Sequence, residues 1–246
     1  MEIADWIQLI LAFITLIVLI FNAFSFFQSR KSYNKQYEYN QKNNTIAISK
    51  TMAQLISTDI SQLTAPFNDK AGKQFMDEYF SYSNQVVFKY TELLEFTKNN
   101  NFSSKYSSVE EFAKEYWLVA YNYYYNNAVK KGLTQIDAKK EAREKYIEYL
   151  DLFTLTLNKI EAISMEFVSK IADESVGYPS LHQVFLRFVK VCSIKIALSN
   201  KTSQDDFYTY TRELYRLWNE RQNKHTEEVA KKEQLNDNPN KVAFIK

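Results

Sequence analysis

Residues Trp117 to Asn127 read WLVAYNYYYNN, with four tyrosines, three asparagines and no charge. Exposed aromatic rings stack on nucleobases at ~1–3 kcal/mol per base, with little regard to base identity. Such stacking is useful only beside cations that hold the phosphates. Lys114, Lys130, Lys131, Lys139, Lys140 and Arg143 lie close to this run in the sequence. In a helix, Trp117, Tyr121, Tyr124 and Ala128 share one face, Tyr116, Ala120, Tyr123 and Asn127 share the adjacent one, and Tyr125 lies below Tyr121. Rings then cover more of the circumference than one core stripe needs. The expected nucleic-acid-binding set is Tyr116, Tyr121, Tyr123, Tyr124 and Tyr125 with Lys130, Lys131, Lys139, Lys140 and Arg143. The plainer alternative is that the rings pack in a core while their hydroxyls reach the surface.

Other chemistry is thin. The chain has no G-x-x-x-x-G-K-S/T phosphate loop and no H-E-x-x-H. Its single cysteine, Cys192, excludes an internal disulfide and a multi-thiol zinc site. No carboxylate cluster suggests a metal, and no cofactor is implied. Of the two histidines, His182 is expected in the first turn of a helix capped by Ser180, as a surface or capping residue. His225 follows Arg221 by four residues, on one helix face. Such a pair is similar to the R-x4-6-H motif of HEPN-type ribonucleases, but only three residues separate the two. A second basic strip, Arg187, Lys190 and Lys195, is expected as a solvated face beside core residues Phe185 and Phe188.

These residues need elements to hold them. Three glycines and three prolines in 246 residues favour a mostly helical chain. Residues 6–29 carry no charge. At ~1.5 Å per residue, about 20 helical residues cross the hydrocarbon layer, so 1–29 reads as an uncleaved transmembrane anchor. The start is acidic (Glu2, Asp5) and no small-residue cleavage site follows, unlike a signal peptide. Arg30, Lys31 and Lys35 follow the run and no cation precedes it, which places the remainder on the cytoplasmic side. Residues 30–50, with five cations against one acid, read as a basic juxtamembrane stalk on which Arg30, Lys31 and Lys35 meet anionic headgroups.

Residues 51–235 read as a cytoplasmic bundle of five or six antiparallel helices, and 236–246 as a loose tail. A short helix is expected to end at Ala65-Pro66, a long one to run from about 70 to 98, and 98–104 to be a loop. Ser108 with Glu111 has capping-box spacing and opens the tyrosine helix, which stops at Gly132. Thr134 starts the longest helix, over 135–173, whose Tyr146, Leu150, Phe153, Leu157, Ile160, Ser164, Phe167 and Ile171 form a heptad-like seam facing the bundle or a neighbouring copy. Gly177-Tyr178-Pro179 breaks the chain before a helix to about Leu198, and Ser203 starts the last one.

The segment MEIADWIQLILAFITLIVLIFNAFSFFQSRKSYNKQ, followed by a Tyr/Asn/Lys-rich helical part, resembles the abortive-infection phage-resistance proteins of lactic acid bacteria. The resemblance lies in architecture and composition over the whole chain. It implies a membrane-anchored, non-enzymatic protein that binds single-stranded nucleic acid, RNA preferred over DNA, during phage infection. A membrane, a nucleic acid and a second copy of the chain are the expected partners. The alternatives are an oligomeric membrane effector that disrupts the bilayer and a divergent HEPN-like ribonuclease.

Overall fold

The structure is a computed structural model that describes residues 3–83, 85–202, 204 and 206–236, with the backbone alone for 3–12, 14 and 233–236. Nine α-helices and no strand occur among the described residues. The first helix, α1 (Ile3–Leu55), is 53 residues long. A π-turn at Ile56–Ile60 leads into α2 (Ser61–Asn68), then α3 (Lys70–Tyr82), α4 (Tyr90–Glu95), α5 (Asn100–Lys105), α6 (Val109–Lys130), α7 (Gln135–Val168), α8 (Glu174–Ser199) and α9 (Thr209–Asn236). The tail expected over 236–246 lies outside the described residues beyond Asn236.

Among the described residues no helix is long and apolar enough to cross a membrane, which overturns the single transmembrane helix and the single-pass, inner-face placement built on it. Within α1, Asn22, Ser25, Gln28 and Ser29 interrupt the apolar run, and Arg30 and Lys31 close it. The earlier part of the expected anchor, at 6–12, lies outside the described side chains. Residues 30–50, the expected stalk, continue α1 without a break. Arg30, Lys31 and Lys35 are exposed midway along this rod. Among the described residues, the rod meets the body from Tyr37 onward. There Gln41 and Tyr37 donate to the carbonyl of Lys170, whose φ of 59° turns the chain between α7 and α8. Thr45, fully buried, accepts from the Asp173 N–H at 2.7 Å.

Two hydrophobic cores lie on either side of α8. One is aliphatic and aromatic: Met52 and Leu55 of α1 meet Phe153, Leu157 and Ile160 of α7, Phe185 and Phe188 of α8, and Trp218 of α9. The other is a ring cluster of Phe75, Tyr79, Phe102, Phe112 and Tyr116, closed by Val191 and Ile194 of α8. The helix between them buries a side toward each core and keeps an exposed strip of Pro179, Gln183, Arg187 and Lys190. Tyrosine enters these cores because its hydroxyl finds a partner: Tyr116 donates to the Val191 carbonyl at 3.0 Å, Tyr149 to the Leu63 carbonyl at 3.2 Å, and Tyr79 meets Ser193 Oγ at 3.1 Å. The α7 seam from Phe153 to Phe167 is consumed by the first core, so its buried part is not open to a neighbouring copy.

Several boundaries differ from expectation, each for a local reason. The helix around Pro66 continues to Asn68, directly after the π-turn. The helix expected over 70–98 stops at Tyr82; Ser83 is extended, and the Glu92 carboxylate accepts from the Phe88 and Lys89 N–H groups to start α4. The 98–104 loop contains α5, whose first turn is capped by Asn99 at 2.9 Å from the Asn101 N–H. Gly177-Pro179 does not break the chain. Asp173 caps α8 ahead of it, and Pro179 lies in the second turn. Gly177 is there for closeness: a Cβ would lie 2.6 Å from the Phe167 ring. Ser203, expected to start the last helix, lies outside the described residues; α9 begins at Thr209, where the Glu161 carboxylate of α7 takes the Tyr210 and Thr211 N–H groups. Ser108 and Thr134 do cap α6 and α7, and Gly132 turns the chain between them at φ 83°.

Candidate nucleic-acid interface

The tyrosine helix α6 lies against α7 along much of its length, and its environment changes from end to end. Val109, Phe112, Tyr116 and Ala120 form its buried stripe. Tyr116 has no exposed surface, stacks against Phe67 at 5.2 Å, and has its phenol pushed well above the ordinary value by burial. It is a core residue and is removed from the expected binding set. The three-and-four spacing from Val109 to Ala120 was the available signal for this.

Beyond Ala120 the remaining tyrosines are half-buried. Tyr121 leans edge-on to Tyr146 of α7 at 6.0 Å. On the opposite flank Tyr123 and Tyr124 form an edge-to-face pair at 5.4 Å. Tyr124 also meets the buried Tyr149 at 6.0 Å, and burial raises its phenol. This pair lines a cleft of about 530 Å³ with Gln62, Asn127, Lys131 and Lys145. A smaller cleft of about 240 Å³ shares Tyr123 and Asn127 and adds Asn126 and Lys130. Two of these cations are partly compensated, Lys131 by Glu141 at 2.6 Å and Lys145 by Glu148 at 2.7 Å.

The expected cations divide. Lys130 and Lys131 stand beside the Tyr123–Tyr124 pair. Lys139, Lys140 and Arg143 are exposed on α7, but not with the tyrosines. Ala138, Ala142 and Tyr149 mark the buried side of that helix, and at ~100° per residue Lys140 and Arg143 fall on the far side and Lys139 on a flank, in neither cleft. Lys145 takes their place in the cleft, one turn past Glu141. Tyr125 is half-buried, and its ring lines neither cleft.

The other flank of α6 holds a groove that sequence reading missed except for Tyr121. Trp117, Leu118, Tyr121, Tyr146 and Leu198 wall about 630 Å³ of mostly apolar space, with Lys114 and Lys201 at its rim. Lys195 of α8 places its ammonium over the Trp117 ring at 5.7 Å, and burial pushes its pKa down. The supposed basic strip on α8 is therefore dispersed. Arg187 donates to Asn68 at 2.7 Å, Lys190 lines a separate mixed-charge cleft of about 1160 Å³ near α9, and Lys195 reaches Trp117.

The histidines are placed differently from the ribonuclease pattern. Arg221 lies flat over Tyr178 at 4.0 Å and donates to Glu174 at 3.0 Å, while His225 is exposed one turn on. His182 stacks on the same Tyr178 ring at 4.3 Å, and lies beyond the first turn of α8. Arg221 thus ties α9 to α8. Cys192 is fully buried, and its thiol is pushed well up. Among the described residues no group of three or more His, Cys, Asp or Glu is placed to hold a metal ion. No family model matches the chain, no curated protein matches it, and no solved structure matches its fold.

Proposed function

We propose that the chain binds single-stranded nucleic acid on the flank of α6 that carries Tyr123 and Tyr124. One observation carries the reading: two half-buried rings sit between adjoining clefts whose rims hold Lys130, Lys131 and Lys145 and the amides of Asn126 and Asn127. Bases stack on the rings, cations hold phosphates, and asparagine amides meet base edges. A duplex hides its base faces inside the stack, so the site discriminates against it. The preference for RNA, and a role in phage resistance, are proposed from the resemblance of composition alone.

The test is fluorescence anisotropy of the full chain with labelled single-stranded RNA, single-stranded DNA and duplex over a salt series. Saturable binding to the single strands, weakening linearly in log salt, is the expected result. No binding at low salt, or equal binding to duplex, overturns the reading. Phage resistance is tested separately, by plaque counts on cells expressing the chain or the Tyr123→Ala/Tyr124→Ala variant. Equal protection by both separates resistance from the proposed strand binding.

A further inference from the structure

The groove on the opposite flank of α6 has a different chemistry, and it stands independently of strand binding. Its floor is made of rings, Trp117, Tyr121 and Tyr146, with Leu118 and Leu198 beside them. Its volume of about 630 Å³ is that of a small-molecule site. Its charge is unbalanced. Lys201 is partly spent, at 3.7 Å from Glu110 and over the Tyr90 ring at 5.2 Å. Glu110, the acid on the rim, also accepts from the Tyr90 hydroxyl, which pushes the Tyr90 phenol up to about 12. Lys114 and Lys195 stay without an ion pair among the described residues: Lys114 lines the groove, and Lys195, outside its lining, holds its ammonium 5.7 Å from the centroid of the Trp117 ring on the floor.

We infer that this groove holds a nucleoside 5′-monophosphate, its base on the Trp117, Tyr121 and Tyr146 rings and its phosphate between Lys114 and Lys195. A flat apolar body with an anion at one end is what the floor and the free cations together select. An apolar peptide leaves both lysines uncompensated. Inorganic phosphate leaves the rings unused. Lys195 adds a thermodynamic reason: it has given up water beside the Trp117 ring without gaining an acid, so an incoming anion relieves a cost already present in the empty protein.

The probes are AMP, adenosine and inorganic phosphate, titrated into the full chain while tryptophan emission is followed. AMP is expected to quench saturably, with adenosine and phosphate at least about tenfold weaker, the range of one charge-assisted contact. Trp117→Phe removes the quench while circular dichroism stays unchanged. Lys195→Gln weakens AMP about tenfold and leaves adenosine as it was. The Tyr123→Ala/Tyr124→Ala variant binds AMP normally, so failure of strand binding is read apart from failure here. An absent AMP quench, equal binding of AMP and adenosine, or an indifferent Lys195→Gln overturns the site. A quench by single-stranded oligonucleotide but not by AMP also overturns it and assigns the groove to the strand.

Discussion

The two halves of α6 are built from the same residues and end in opposite surroundings. Tyr116, in the first half, is sealed between Phe67, Phe75 and the α8 backbone. Tyr123, two turns later, shows part of its ring to two clefts. The difference lies in the neighbours. The first half is covered by α3, α8 and Phe67 of α2 as well as α7, and the second half has α7 with Gln62 and Ala65 of α2. The two flanks of the helix differ again. On one, Lys131 and Lys145 are paired with acids; on the other, Lys195 has no ion pair among the described residues. An aromatic residue becomes core or surface according to how many elements reach it, and a lysine becomes available according to whether an acid got there first.

The comparison is broken most severely at Tyr116. Tyr116→Ala is expected to cost about 3–5 kcal/mol in denaturant unfolding, and Tyr116→Phe about 1 kcal/mol, since only the bond to the Val191 carbonyl is lost. Tyr125→Ala, whose ring is half-exposed, should change stability by less than about 1 kcal/mol. If the two alanine variants unfold alike, the contrast between the halves is wrong.

Next in size is the paired removal of Tyr123 and Tyr124. It should weaken single-stranded RNA by ~1–3 kcal/mol per lost stacked base in the anisotropy assay. Smaller still is the separation of the cations. Lys131→Gln with Lys145→Gln should flatten the log–log salt dependence by ~0.7 for each phosphate released. Lys139→Gln with Lys140→Gln and Arg143→Gln, which line neither cleft, should flatten it less. The reverse order would return the interface to the face first expected from sequence.

The finest distinction is in alkali. Burial lowers the Lys195 pKa from its ordinary 10.5, whereas the Glu148 partner raises that of Lys145. A lysine with a lowered pKa loses its charge first as pH rises. AMP affinity should therefore decline at lower pH than RNA affinity does. Isothermal titration across the alkaline range checks this, and coincident declines would remove the distinction between the flanks.

Much of the fold was readable wherever a signal was local. Ser108 and Thr134 cap their helices from one turn away, and Gly132 turns between them. The starts that were missed depend on groups far along the chain or on competition between signals. Glu161 caps α9 from about 50 residues away, and Asp173 outweighs Pro179 as the start of α8. At the site, the tyrosine run was visible, but the partners of its flanks were not. Tyr146, Lys195 and Leu198 reach it from α7 and α8, and no periodicity within α6 announces them.

The sequence by itself determined that the chain is helical, where α6 and α7 begin, and that more rings exist on α6 than one stripe accommodates. Those follow from backbone propensity, short-range capping and a 3.6-residue repeat, all of which act within a turn or two. Only the tertiary structure decided which rings are sealed and which lysines find an acid. Burial and charge pairing depend on residues brought together from distant parts of the chain, and neither can be counted along a single helix.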